Sequence, residues 1–286
     1  MITILGAGHV GTYLRDALPA LGHRTRLWHE RLADLLDSDL GSDDLVVNTA
    51  GKTDLPWCEN NPFDAFDANV TGAVQAARVV LTCPDRRFIH LSSGCVYDGP
   101  YDANDQAFTP ASPLSPACFY AKTKVMADDV LTASGAFRQG RVAILRPRQV
   151  YSPAESPRNT LTKLRGYARL LQTSNSMTSA DTIAKTVAAL ASAAASPLWG
   201  RISLVYDRGI ATPFLVGSAL ADLDLRAPPK ILRKSDLDSW HKPKRVDTVL
   251  SDPVFEDAVN PPEVHEELRR VALQYAEADR FALSYT

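Results

Sequence analysis

Three residue types in this chain are spaced for proton transfer to a carbonyl. In "FYAKTK" Tyr120 and Lys124 stand four positions apart, so a helix places both on one face, whereas Lys122 falls about 200° around the axis and points elsewhere. In "FIHLSSGCVYDG" an apolar run reads as a strand, and Ser92 and Ser93 stand where it ends. A free tyrosine titrates near about 10, too high for efficient exchange at neutral pH. A neighbouring ammonium favours the phenolate and draws that value down, towards the range where proton transfer is fast. A serine hydroxyl can meanwhile polarise the carbonyl oxygen that receives the proton. On these residues Tyr120, Lys124 and one of Ser92 and Ser93 are the catalytic candidates. Their chemistry needs a second reactant that brings hydride, and no side chain supplies one.

The first residues offer a place for such a reactant. "ILGAGHVGTYL" sets Gly6, Gly8 and Gly11 between an apolar strand and a helical pattern, the GxGxxG arrangement of a dinucleotide-binding turn. Gly6 allows the tight turn, Gly8 a close backbone approach to pyrophosphate, and Gly11 close packing of helix on strand. His9 and Val10 lie between them, on the helix end whose N–H groups face the phosphates. The second strand, "RTRLW", runs into His29, Glu30 and Arg31, where the adenosine ribose is met. An imidazole beside Arg31 suits a 2′-phosphate and Glu30 suits a free hydroxyl. The balance narrowly favours NADP(H) over NAD(H).

The elements that must hold these residues alternate along the chain. "ITIL", "TRLW", "LVVNTA", "RFIHLSS", "RVAILRP" and "RISLVY" read as buried strands, and between them "FDANVTGAVQAARVVL", "YAKTKVMADDVLTAS" and "TIAKTVAALASAAAS" carry apolar residues at helical spacing. Strand and helix repeated in this way predict an α/β fold, a doubly wound parallel sheet of the Rossmann type with ligands beyond the carboxyl ends of its strands. The rhythm breaks in two proline-punctuated stretches, which predict a smaller, interwoven C-terminal lobe that closes on a substrate. The expected organisation is a dinucleotide-binding domain over residues 1–151, a first part of the lobe over 152–178, a return to the sheet over 179–207, and the rest of the lobe over 208–286.

Composition narrows the function classes. With 31 basic and 33 acidic residues among 286, a net charge of −2 and 45% hydrophobic residues, the chain has no basic footprint for nucleic acid, and a small-molecule substrate is expected. No apolar run reaches the roughly 18 to 20 residues of a membrane span. The chain enters "MITILGAG" with no basic region or cleavage site, so a cytoplasmic location is expected. Its four cysteines and six histidines show neither CxxC nor HExxH spacing, and no metal site is expected.

Taken together, these motifs resemble those of the extended short-chain dehydrogenase/reductase superfamily, of the NAD-dependent epimerase/dehydratase type, and among its branches are most similar to the dTDP-4-dehydrorhamnose reductases. "YAKTK" supplies the YxxxK pair and "LSSGCVYDG" aligns Ser93 with the catalytic serine or threonine. In "NTAGKTDLPWCE" the resemblance implies that Ala50, Gly51 and Thr53 touch the cofactor, and in "FDANVTGA" it does the same for Asn69. "ILRPRQVYS" resembles the family's arginine-bearing fifth strand and loop, which makes Arg148, Gln149 and Tyr151 candidates for the substrate pocket, with Cys95. "KPKRVDTVLSD", from Lys242 to Asp252, is similar to a segment near the family's C-terminus.

The chain departs from the pattern in its shorter glycine loop, in Gly94 and Cys95 where the reductases carry aspartate and tyrosine, in Gln149 where they carry tryptophan, and in "QTSNSMTSAD". The resemblance implies an NAD(P)-dependent oxidoreductase that reduces a carbonyl of a sugar-like substrate, most plausibly a nucleotide-linked 4-keto-6-deoxyhexose. An epimerase or dehydratase on the same triad and a nucleotide-binding regulatory subunit without turnover are the alternatives. A homodimer is compatible with such a fold.

Overall fold

A computed structural model describes residues 1–41, 44–101, 104–240 and 244–283. Of the C-terminal segment likened to the reductases, Lys242 and Pro243 lie outside the described residues.

The main sheet is formed by β1 (Ile2–Leu5), β2 (Thr25–Trp28), β3 (Leu45–Asn48), β4 (Arg87–Leu91) and β5 (Val142–Pro147), and by a later strand, β9 (Ile202–Val205). Between β5 and β9 run β6 (Val150–Tyr151), β7 (Arg169–Leu171) and β8 (Thr178–Ser179), and β10 (Lys230–Leu232) follows. The six-stranded sheet has the order β2-β1-β3-β4-β5-β9, and every pairing in it is parallel. The doubly wound fold expected from the sequence is therefore present. The order reverses between β1 and β3, and that reversal opens the crevice where such folds take ligands.

Apolar character on both faces explains why the strands read as unbroken apolar runs rather than alternating ones. Ile89, Leu91, Ala143 and Leu145 point into one core with Ile4, Leu14 and Val187, while Phe88, Val142 and Ile144 point into another with Leu5, Ala76 and Leu131. The covering helices are α1 (His9–Ala17), α2 (Leu55–Asn60), α3 (Pro62–Phe66), α4 (Gly72–Leu81), α5 (Phe119–Ala133), the short α6 (Gly135–Arg138), α7 (Thr160–Gly166) and α8 (Ala180–Ser192). Their burial follows from composition: α8 puts Ile183, Ala184, Val187 and Leu190 inward, and Ser179 caps its first turn by accepting from the Thr182 N–H at 3.1 Å.

The C-terminal part adds α9 (Pro213–Asp222), α10 (Lys234–Trp240), α11 (Pro253–Val259) and α12 (Val264–Leu283). A separate core joins Leu161, Leu164, Leu170, Met177, Leu220, Val264, Leu268 and Tyr275, and this is the smaller lobe. Two parallel strand pairs, β7 with β10 and β6 with β8, stitch it together from distant parts of the chain. One helix of the stretch after residue 208 goes elsewhere: Phe255 of α11 sits in the core of the main sheet, and the adjacent Asp252 pairs with Arg201 at 2.8 Å. No helix among the described residues is long and apolar enough to cross a membrane.

Candidate active site

The turn after β1 fixes the first wall. Gly6 takes φ of 101°, and a Cβ there would lie 2.7 Å from Ala50, so only glycine fits both the turn and the neighbouring backbone. A Cβ on Gly11 would fall 1.9 Å from the Gly6 carbonyl, the close seat of α1 on the turn. Gly8 meets nothing within 4 Å, leaving open space over the loop beside the first residue of α1. His9 begins that helix and faces the cavity. Burial, with Lys163 adding to it, lowers its titration to about 4, so its ring is neutral at pH 7.

The loop after β3 forms the floor. Asn48 accepts from the Ala50 N–H at 3.1 Å, and Asn69 clasps Lys52 from both sides, accepting its N–H at 2.7 Å and donating to its carbonyl at 3.0 Å. Asn69 sits in a wide helical turn, Asp67–Thr71, with π-type spacing, and also donates to Thr123 of α5 at 3.0 Å. Its side chain is buried behind the loop rather than in the cavity, so it shapes the Ala50–Thr53 wall from outside. Ala50, Gly51 and Thr53 line the cavity with Lys52.

The end of β4 separates its two serines. Ser92 donates to Asp128 at 2.8 Å, in a buried network where Arg146 pairs with Asp128 at 2.9 Å and donates to the Tyr97 hydroxyl at 2.9 Å. Ser93 opens a short 3-10 turn, accepts from the Cys95 N–H at 3.1 Å and stands close enough to the Tyr120 phenol to influence its proton. Lys124, one turn along α5 from Tyr120, donates to the Leu91 carbonyl at 2.7 Å. The buried ion pair thus ties α5 to β5 under the catalytic candidates, and removing one partner would cost about 3 to 5 kcal/mol.

Electrostatics at the site run partly against the sequence-based expectation. Burial pushes the Tyr120 phenol up, the nearby Cys95 thiol adds to this, and the neighbouring Ser93 hydroxyl opposes it. The lowering expected from Lys124 does not prevail, because desolvation is larger and the ammonium is directed to Leu91. Lys124 itself is lowered by burial to about 8, with Asp128 restoring part of the loss. At neutral pH the phenol therefore carries its proton and the lysine its charge, the state from which a proton can be delivered.

The lobe closes the other side of a cavity of about 960 Å³. Arg148 and Gln149 reach it from the loop after β5, Gln149 at φ of 44°, a left-handed conformation that costs an L-residue about 1 to 2 kcal/mol. Arg158, Lys163 and Arg245 stand on the same wall, residues that sequence reasoning missed because the lobe brings them together from two segments far apart in the chain. The signal available was the basic density of "SPRNTLTKLR" and "KPKR". Arg158 bridges to Asp54 at 3.1 Å, joining lobe and floor at the mouth. Lys163 has no ion pair among the described residues, and burial together with Arg245 lowers its titration.

Tyr151 is a correction. Its side chain is fully buried in the lobe core, and its hydroxyl donates to Asp207 at 2.7 Å, so it does not line the cavity as a pocket residue would. It directly follows Val150 in β6, and the alternation of a strand turns it away from the wall that Val150 faces. His29, Glu30 and Arg31 are exposed beyond β2, outside the cavity lining, and Arg31 pairs with Asp34 at 3.0 Å. Trp28 accepts from the Gly6 N–H at 2.8 Å, which places this edge beside the glycine turn. Among the described residues no group of His, Cys, Asp and Glu could hold a metal ion.

Residues 2–178 match the model of the NAD dependent epimerase/dehydratase family. The chain belongs to that family. It is 27% identical over 158 residues to a dTDP-4-dehydrorhamnose reductase of Mycobacterium tuberculosis, covering 53% of this chain and 50% of that protein. The chain spans half or less of the length of the curated relatives it matches. Among solved structures it resembles a UDP-rhamnose synthase from Acanthamoeba polyphaga mimivirus, with a TM-score of 0.80 at 18% identity over 96% of this chain and 99% of that one. RMD from Pseudomonas aeruginosa complexed with NADPH gives a TM-score of 0.75 at 18% identity over 97% and 99%. The resemblance to short-chain dehydrogenases/reductases drawn from the motifs is borne out, and these likenesses establish the fold.

Proposed function

We propose that the protein reduces a carbonyl on a nucleotide-linked 4-keto-6-deoxyhexose. The observation that carries this reading is one cavity in which the Ser93, Tyr120 and Lys124 group lies between an open glycine turn and a wall bearing Arg148, Lys163 and Arg245. The turn suits a dinucleotide, since Gly6 and Gly11 leave no room for side chains and Gly8 faces free space. A nicotinamide dinucleotide held there supplies hydride. Gly8, His9, Val10, Ala50, Gly51 and Thr53 would hold it together with Tyr120 and Lys124, and the exposed His29 and Arg31 narrowly favour NADP(H) over NAD(H).

In this reading Ser93 orients the carbonyl oxygen, and Tyr120 gives it the proton that completes the alcohol. Lys124 keeps positive charge beside the phenol as it gives up that proton. The cations of the lobe wall hold the diphosphate, for which Arg and Lys are suited donors. Residues 152–178 and 208–286 then supply the substrate lobe, with α11 serving the main sheet. Dehydration is the weaker alternative. Gly94 follows Ser93 where the acid such chemistry needs would stand, and it carries no side chain.

The test is NADPH binding by fluorescence, followed by a panel of 4-keto sugar nucleotides scored by loss of NADPH absorbance. Turnover abolished by Tyr120→Phe is the expected result. Binding without turnover on any substrate, indifferent to Tyr120→Phe, would instead identify a regulatory nucleotide-binding protein.

A further inference from the structure

The same cavity holds a chemistry that carbonyl reduction does not use. Cys95 follows the Ser93 turn, lines the cavity and is half-buried. An N–H of Arg148 donates to its Sγ at 3.1 Å. The guanidinium is 6% exposed, its other bonds go to Asn175 Oδ1 at 3.0 Å and to the Val246 carbonyl, and its Nε has no partner. All of these acceptors are neutral. A guanidinium buried among neutral acceptors is short of a counter-charge. Asp247 reaches it through the Asn175 amide at 3.0 Å and is shared with Lys234 at 3.5 Å. The guanidinium N–H held against the sulfur is the kind of cationic contact found beside reactive cysteines.

Two of the other thiols are sealed inside the protein. Cys118 and Cys58 are buried beside Tyr120, and desolvation pushes each up to about 11. Cys83 is half-exposed at the far end of α4, away from the cavity. We propose that Cys95 is a covalent modification site, open to soft alkylating electrophiles small enough to enter the cavity. The sulfur forms a bond to carbon, the bond from that carbon to its leaving group breaks with the electron pair on the leaving group, and the thiol proton passes to water. No oxidant or reductant is required. The adduct fills the space between Ser93 and Arg148 and leaves the glycine turn open. This assignment stands independently of the reductase reading, because labelling needs no substrate.

Iodoacetamide at neutral pH, quenched at intervals and read by peptide mass spectrometry, tests it. Cys95 should be carbamidomethylated about tenfold faster than Cys83, and Arg148→Gln should slow Cys95 about tenfold without changing Cys83. Arg148→Lys, which keeps a cation, should recover part of the rate, and NADPH should still bind the labelled protein. Equal rates at Cys95 and Cys83 would overturn the proposal, as would an undiminished Cys95 rate in folded Arg148→Gln. Should that variant unfold, seen as labelling of Cys118, the wild-type ratio of Cys95 to Cys83 decides alone, and a ratio near one rejects the assignment.

Discussion

The two walls of the cavity are built in opposite ways. The wall of the main domain is made by short sequence units at strand ends: Gly6 to Gly11 after β1, Ala50 to Thr53 after β3, Ser93 after β4 and Tyr120 with Lys124 on one helix. The lobe wall draws Arg148, Lys163 and Arg245 from places separated by up to about a hundred residues, and no two share a motif. A unit positioned by hydrogen bonds within one strand-turn-helix is rigid and recognisable. A wall assembled from distant segments is positioned by packing, and it can change its ligand preferences without disturbing the sheet. The difference teaches that, on the proposed function, reaction type and substrate choice reside in separate parts of this molecule.

The largest effect should come from the first wall. Tyr120→Phe removes the proton donor and should lower kcat by about a thousandfold while NADPH binding, read by fluorescence, stays within about twofold. If binding collapsed as well, the phenol would be holding the cofactor rather than serving the reaction. Lys124→Met should follow, costing about a hundredfold in kcat/KM and weakening cofactor binding, whereas the exposed Lys122→Ala should change neither. Equal behaviour of the two lysine variants would break the placement of the helix face.

Lys124 also sets a pH signature. Its titration is lowered to about 8 in the folded protein, so the ammonium is lost as pH rises through 8. A kcat/KM profile should therefore fall on the alkaline side near 8. Stability should not fall with it: a lowered lysine contributes nothing to stability below about 8, and its contribution grows as pH rises towards the ordinary lysine value. Thermal melts across the same range check that the activity limb is not unfolding.

Lobe-wall effects should be smaller and of another kind. Lys163→Ala should raise KM for a diphosphate-bearing substrate about tenfold and leave kcat within about twofold, the mark of a group that binds ground state and transition state alike. A kcat effect matching that of Lys124→Met would erase the contrast between the walls. Smallest for catalysis is Tyr151→Phe, which breaks the bond to Asp207. It should cost about 1 to 2 kcal/mol in urea unfolding and leave kcat/KM of the folded protein unchanged.

The glycine turn and the Tyr120–Lys124 pair were legible because each depends on spacing along one local element, and the six strands were legible because burial on both faces leaves unbroken apolar runs. Tyr151 was misread because a two-residue strand carries too little pattern to reveal which side its residues face. Lys163 went unseen because its neighbours in space, His9 and Arg245, lie far from it in sequence.

By itself, then, the sequence determined the doubly wound sheet, the glycine turn after β1 and the shared helix of Tyr120 and Lys124, all of which follow from local periodicity and steric need. Tertiary structure alone decided that Ser92 turns inward to Asp128 while Ser93 faces Tyr120, that burial keeps the phenol protonated, and that Arg148 meets Cys95. Those outcomes depend on desolvation and on contacts across the fold, quantities that exist only once distant segments exclude water from one another.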